Sequence, residues 1–230
     1  MLNRDYTELP KKMQNLAVRV YFDMLSHKKT SLFFKRVFDI VASLLLLLLL
    51  SPLFILLALL IKSDSKGSVF YRQLRVTKGM RQFRIFKFRT MVEGADKNGS
   101  LVTTIGDSRV TKVGAKLRGA RLDELPQLFN ILVGDMTFVG TRPEVPKYVA
   151  YYNDEMLATL LLPAGVTSEA SIRYKDEARL LTDASDADEV YIGTILKAKM
   201  VFNLEYLRDF SFWRDIKILF RTLSKMTEQD

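Results

Sequence analysis

One block of the chain lacks any polar stripe. The 22 residues from Ile40 to Ile61 carry no charge, and leucine fills every position from 44 to 50. About 20 apolar residues are enough for a helix to cross a bilayer, whereas a helix buried in a small soluble protein keeps a polar face. The block therefore predicts a membrane-inserted helix. It starts too far into the chain, and lacks the small-residue cleavage site, for an ordinary signal peptide. Ser51-Pro52 lies in its middle. Proline removes a backbone donor and clashes with the carbonyl four residues back, so a break is expected there. Two topologies stand equal at this point: a bitopic anchor that tolerates its proline, and a helix that dips in and returns to the same side.

Elsewhere the periodicity changes. Met13 to Leu25 sets Leu16, Val20 and Met24 on one helical stripe with basic residues interspersed, a pattern suited to a membrane surface. Residues 68–89 are rich in β-branched and aromatic side chains around Thr77-Lys78-Gly79, which predicts a β-hairpin. Its alternation breaks at Ile85-Phe86, which predicts a bulge. Residues 94–108 read as a loop. Leu125, Leu128, Phe129 and Leu132 follow i, i+3, i+4, i+7 spacing. Pro126 is tolerated only in a first turn, so this helix is expected to begin near Asp123 and to end at Gly134. A short strand follows at Thr137–Gly140. Asp183 to Glu189 reads as a solvated helix start. Residues 195–225 form one or two amphipathic helices, with Trp213 either in the core or at a membrane interface. The class is α+β, divided into an N-terminal extension (1–34), a membrane segment (35–66) and a further domain (67–230).

Composition narrows the chemistry. The 230 residues contain no Cys and one His, His27. Disulfides, thiolate nucleophiles and sites needing two imidazoles are excluded, and a Ser-His-Asp triad is weakened. The formal charge of +9 calls for an anionic partner. It is unevenly placed: +5 over residues 1–36, −1 over 37–61, +7 over 62–93, +1 over 94–146 and −3 over 147–230. The surplus brackets the apolar block. Arg72, Arg75, Arg81, Arg84, Lys87 and Arg89 stud the hairpin, either as a face on anionic lipid headgroups or as a phosphate cradle.

Asp123 and Glu124 admit two readings. At a helix N-terminus, Asp123 serves as an N-cap and Glu124 complements the dipole. Alternatively, adjacent carboxylates hold a divalent cation, and one of them attacks phosphorus. That needs cations nearby. Arg118 lies five residues upstream, and Arg142 is held in a turn between Gly140 and Pro143, suited to diphosphate. Three functions compete: phosphoryl transfer at a membrane, a Mg²⁺-dependent diphosphate hydrolase, and a basic non-enzymatic scaffold or nucleic-acid tether. The acidic C-terminal third and the lack of a nucleic-acid-binding signature argue against the last.

The segments KRVFDIVASLLLLLLLSPLFILLALLIK, YRQLRVTKG, FKFRTM, LRGARLDELPQLFNILVGDM and FVGTRPE, in this order, resemble the bacterial monotopic phosphoglycosyl transferases, or bacterial sugar transferases. The resemblance runs from about Lys35 to Thr222. It implies a re-entrant helix broken at Ser51-Pro52, on the cytoplasmic face of the bacterial inner membrane. It implies transfer of a sugar-1-phosphate from a UDP-sugar to undecaprenyl or another polyprenol phosphate, with release of UMP. Asp123 is the implied nucleophile, forming a covalent phosphosugar, and Glu124 the implied ligand of Mg²⁺. Lys87, Arg118 and Arg142 are the implied phosphate-binding cations. The chain is expected to be a minimal catalytic unit, and a homodimer is compatible with it. Gly140-Thr141-Arg142-Pro143 stands where many members have Gly-Pro-Arg-Pro. Residues 165–172 depart from the Gly-Ile-Thr-Gly-Trp-type segment, and no site residue is carried over from 164–180.

Overall fold

Proline's missing N–H decides the shape of the apolar block. The computed structural model describes Leu2 and residues 5–95, 107–175 and 187–227. Helix α1 (Leu16–Ser26) leads into α2 (Lys29–Leu49), and α3 (Ser51–Asp64) follows after a bend of 61°. Pro52 occupies the first turn of α3, where no donor is needed. The carbonyl of Leu48, which an N–H at position 52 would have satisfied, instead accepts the Ser51 hydroxyl at 2.8 Å. The break therefore leaves no orphaned group at that position. Among the described residues no single helix is long and apolar enough to cross a membrane; the bent pair passes that test only together.

The rest is a mixed α+β arrangement around two small sheets. Strands β1 (Phe70–Val76) and β2 (Gln82–Phe88) pair antiparallel, and after α4 (Lys112–Gly119) and α5 (Gln127–Val133), β3 (Met136–Val139) pairs parallel with β4 (Ala164–Thr167). Between β3 and β4 lies α6 (Pro146–Val149), and after them come α7 (Glu169–Arg173), α8 (Ala187–Val190), α9 (Leu196–Arg208) and α10 (Phe212–Thr227). A π-turn, Tyr191–Ile195, joins α8 to α9. The parallel pair is tight where it ends: a Cβ on Gly165 would come within 2.1 Å of the Gly140 backbone nitrogen, so only glycine fits.

Two expectations need correction. The hairpin has no bulge, because its register runs unbroken from Phe70↔Phe88 to Val76↔Gln82. Alternation fails at Ile85-Phe86 because both faces are covered there: Ile85 packs with Leu128 and Ile131, and Phe86 lies against Phe70 and Phe129. The outer edge of β2 is paired by a side chain, since Asn130 accepts from the Phe86 N–H and donates to the Arg84 carbonyl. Asp123 does not open the helix after it. It lies in a separate 3₁₀ turn, Leu122–Glu124, and the cap position of α5 is Pro126, so the N-cap reading fails. Gly134 does end α5, in left-handed backbone with φ 90°.

The helices at both ends of the chain sort their apolar residues. α1 exposes Leu16, Val20 and Met24 and buries Val18, Tyr21, Phe22 and Leu25 in the same cluster as Leu157, Leu161 and Leu207. The expected amphipathic C-terminal region is two helices, with Phe210 buried and Trp213 exposed. Trp213 lies tilted against Phe212, which packs on Phe34 and Phe38 of α2. Most of Asp183 to Glu189, and most of the loop at 94–108, lie outside the described residues.

α2 is fixed to the domain by buried charge. Lys35 donates to Asp215 and to the Val139 carbonyl, both at 2.6 Å, and Asp39 accepts from the Thr137 hydroxyl and the Phe138 N–H. Tyr206 donates to the other Asp215 oxygen. Next to them, Arg36 caps the C-terminal carbonyls of α5, at Ile131 and Leu132. Removing one partner from a buried pair typically costs about 3–5 kcal/mol, whereas exposed pairs contribute about 0–1 kcal/mol. Lys35→Met is therefore expected to lower stability by about 3–5 kcal/mol, and Arg81→Ala, which breaks the exposed pair with Asp135, by less than about 1 kcal/mol. Thermal unfolding of both variants in detergent checks the contrast.

Candidate active site

Three separate elements converge on Glu124. The 3₁₀ turn supplies the carboxylate, β2 supplies Lys87, and the chain leaving β3 supplies Arg142. Lys87 donates to Oε1 at 2.9 Å; Arg142 donates to Oε2 at 3.2 Å and also to Oε1. A further Arg142 bond, at 3.2 Å, goes to the Val166 carbonyl. The Gly140–Thr141 backbone continues the β3–β4 ladder, with Gly140 N–H on Thr167 and Gly165 N–H on Thr141. Arg142 thus emerges from a fixed strand end, and the departure from Gly-Pro-Arg-Pro keeps it at the site.

Asp123 is buried beside this ion pair and accepts no hydrogen bond from another side chain among the described residues. The two carboxyls are driven apart. Burial pushes Asp123 above the ordinary aspartate value; Lys87 opposes this, Glu124 adds to it and Arg118 opposes it. Burial would also raise Glu124, but Arg142 and Lys87 outweigh it and hold Glu124 well below the usual range. Arg118 donates its Nε to Thr90 Oγ1 at 2.8 Å. Arg121, just before the turn, has φ 53°, a left-handed conformation that costs a residue with a Cβ about 1–2 kcal/mol. Such strain is a frequent companion of functional sites.

These groups line a cavity of about 570 Å³. The structure thus brings together Lys87, Arg118, Asp123, Glu124 and Arg142, as expected, and places Ser51 and Pro52 at the helix bend. Pattern reading did not single out Tyr71 or Gln73 and gave Arg75 only as one of the hairpin cations; all three line the same cavity. The signal was the hairpin register: with the turn at 77–81, Tyr71 faces Lys87, and Gln73 and Arg75 share that face. Gln73 Oε1 accepts from Arg75, which also donates to the Pro143 carbonyl at 3.0 Å and so steadies the turn carrying Arg142. The hairpin cations divide as their alternation dictates. Lys87, Arg75 and Arg89 line the cavity, while Arg72 lies outside it over the Phe86 ring and Arg81 pairs with Asp135.

The turn that carries the carboxylate pair rests on the apolar helix α3. Leu122 and Leu125, on either side of the carboxylate pair, pack with Leu57 and Ile61 of α3. A model describing bacterial sugar transferases matches residues 30–229. The chain belongs to that family. It is 38% identical over 194 residues to the UDP-N-acetylgalactosamine-undecaprenyl-phosphate N-acetylgalactosaminephosphotransferase of Aeromonas hydrophila, covering 83% of this chain and 43% of that protein. It is 37% identical over 199 residues to the UDP-glucose:undecaprenyl-phosphate glucose-1-phosphate transferase of Caulobacter vibrioides, covering 85% of this chain and 70% of that one. A Bacillus subtilis protein named a putative undecaprenyl-phosphate N-acetylgalactosaminyl 1-phosphate transferase is 39% identical over 146 residues, with 63% and 80% covered. This family member thus spans less than half of the Aeromonas relative.

Among the described residues no three His, Asp or Glu side chains converge to hold a metal. Mg²⁺ does not require such a cage, since it is usually held by one or two carboxylates together with water and substrate phosphates. Asp123 and Glu124 fit that donor set. Any reaction that uses Asp123 as an anion should lose rate as the carboxyl protonates. Because its pKa is raised, the acid limb of kcat/KM is expected above the ordinary aspartate value of 3.8. Lys87→Gln removes a cation that favours the charged form and should shift the limb further upward. A pH–rate profile in which the limb lies at or below 3.8, or moves down in Lys87→Gln, would contradict this placement.

Proposed function

We propose that the chain is a phosphoglycosyl transferase that moves a sugar-1-phosphate from a UDP-sugar to undecaprenyl or another polyprenol phosphate. The observation that carries this reading is a buried Asp123 without a hydrogen-bonding side-chain partner, beside a Glu124 held by two cations, on a turn packed against the apolar helix. An Asp123 carboxylate oxygen attacks the sugar-bearing phosphorus. The phosphorus–oxygen bond to UMP breaks and UMP leaves. An oxygen of the lipid phosphate then attacks the same phosphorus, the bond to Asp123 breaks, and the carboxylate is restored with a polyprenyl diphosphosugar as product. Phosphoryl transfer mainly demands positioning and positive charge, which Lys87, Arg118 and Arg142 provide. Glu124 is the residue that would hold Mg²⁺, which when bound supplies charge neutralisation to the phosphate oxygens.

Membrane association follows the re-entrant reading. As a straight helix, the 22 uncharged residues would reach about 33 Å; with the 61° bend they reach about 28 Å, short of a ~30 Å hydrocarbon core. Both flanks are basic, which favours the cytoplasmic side for each. The exposed Trp213, Phe220 and Leu223 of α10 provide an apolar stripe for the interface. This reading places the protein as a monotopic enzyme on the inner face of the bacterial cytoplasmic membrane, in contact with anionic headgroups. It takes no nucleic acid as partner.

With Mg²⁺ and a panel of UDP-sugars, the chain should release about one UMP per enzyme without acceptor and turn over further only when undecaprenyl phosphate is present, and EDTA should stop turnover. Asp123→Asn should reduce release at least ~10³-fold, on the order seen for loss of a covalent nucleophile. Intact-mass analysis with donor alone should show a phosphosugar adduct on the wild type and none on the variant. Repeated UMP release that ignores the acceptor would point to a hydrolase instead.

A further inference from the structure

The cations of the cavity do not all have counter-charges. Lys87 and Arg142 share Glu124, Arg75 is bonded to Gln73, and Arg109 closes on Asp107. Arg89, Arg118 and Arg121 form no ion pair among the described residues; Arg89 is buried with its bonds on Ile61 and Ser65, whereas the one hydrogen bond of the Arg118 side chain is from Nε to Thr90. Both terminal nitrogens of its fork are uncommitted. Arg121 is exposed, lines the same cavity, and is held in left-handed backbone three residues further on.

Their setting is the link between the outgoing membrane helix and the catalytic turn. The Val113 N–H of α4 donates to Asp64 at the end of α3, and Leu117 packs on Leu57 and Ile61. Thr111 N–H bonds the Thr90 carbonyl, so the strand end that aims Arg118 is tied to the same helix. α3 itself exposes Leu56, Leu59 and Leu60, apolar surface along which a lipid chain can lie.

We propose that Arg118 and Arg121 form a subsite for the phosphate monoester of the lipid acceptor, distinct from the Lys87–Arg142–Glu124 end that takes the donor diphosphate. The inference rests on the transferase reading above. A phosphate monoester carries about −1.5 to −2 charges at neutral pH, so it is matched by two cations that no carboxylate holds in a direct ion pair. Guanidinium forks bind such oxygens in bidentate fashion. Held on the α3 side of Asp123, the monoester presents an oxygen to the phosphosugar there. Its attack forms the diphosphate bond and breaks the Asp123–phosphorus bond, and no further reactant is consumed.

The test uses the full chain in detergent. Arg121→Asn removes the charge while keeping a residue that tolerates left-handed backbone. Loss of one charge-assisted contact should raise the acceptor KM about tenfold or more, leave the donor KM within about twofold, and leave intact the stoichiometric burst of UMP seen without acceptor. Arg118→Lys, which keeps the charge and loses the fork, should shift the same parameter in the same direction. Inorganic phosphate should compete with the acceptor in the wild type and less in Arg121→Asn, while both proteins bind phosphatidylglycerol vesicles equally. An unchanged acceptor KM with the burst intact overturns the subsite alone. So does a loss of vesicle binding without a change in acceptor KM, which would make Arg121 a general headgroup contact. A wild type that releases no UMP from any donor overturns the transferase reading together with the subsite.

Discussion

Lys35 and Asp39 bring charge into the interior at the junction where the apolar helix meets the domain. Each is almost fully buried, and each has found its partners: Lys35 on Asp215 and the end of β3, Asp39 on Thr137 and Phe138. Buried charges tolerate few alternative geometries, because any rotation of α2 would leave one uncompensated. The helix is thereby fixed in rotation as well as position. Its neighbour Arg36 closes the C-terminus of α5. α5 begins immediately after the turn that holds Asp123 and Glu124, and α3 supports that turn from the other side through Leu57 and Ile61. The bent apolar helix pair and the candidate site therefore form one mechanical unit.

The carboxylate pair shows how neighbours with similar chemistry acquire different electrostatic settings. Glu124 is surrounded by cations and stays charged well into acid. Asp123 is buried, receives no direct hydrogen bond from a side chain, and has its charge favoured by Lys87 and Arg118 at a distance and by its own backbone N–H. A carboxylate that no side chain clamps retains more of its reactivity toward an electrophile than one clamped by two cations. That division agrees with a nucleophile at 123 and a structural or metal-holding anion at 124.

Local pattern carried much of this. The apolar block, its break at proline, the hairpin and the helix ended by Gly134 were legible, because each depends on residues close together in the chain; the cations around the Asp-Glu pair, 18 and 37 positions from Glu124 for Arg142 and Lys87, came from the family resemblance instead. What failed depended on distant partners. The break in alternation at Ile85-Phe86 looked like a bulge because nothing in the hairpin tells that Phe129 covers its second face. Asp123 looked like an N-cap because its true surroundings, Lys87 and Arg118, reach it through tertiary packing. The Lys35–Asp215 pair joins residues 180 positions apart, and no periodicity could reveal it. The role of Arg75 in steadying the Arg142 turn was hidden for the same reason, although the hairpin register already put it on the right face.

The central claim is geometric: the bent helix enters and leaves the bilayer on one side, so that the site stays at the headgroups. The chain contains no cysteine, so single reporters can be placed without background. Thr30 and Ser63 are exposed on either side of the apolar block. With Thr30→Cys and Ser63→Cys as separate variants, a membrane-impermeant maleimide should label neither in intact spheroplasts and both in inverted membrane vesicles. Labelling of either position from the outside would mean that the helix crosses, and would contradict the same-side placement of its two ends.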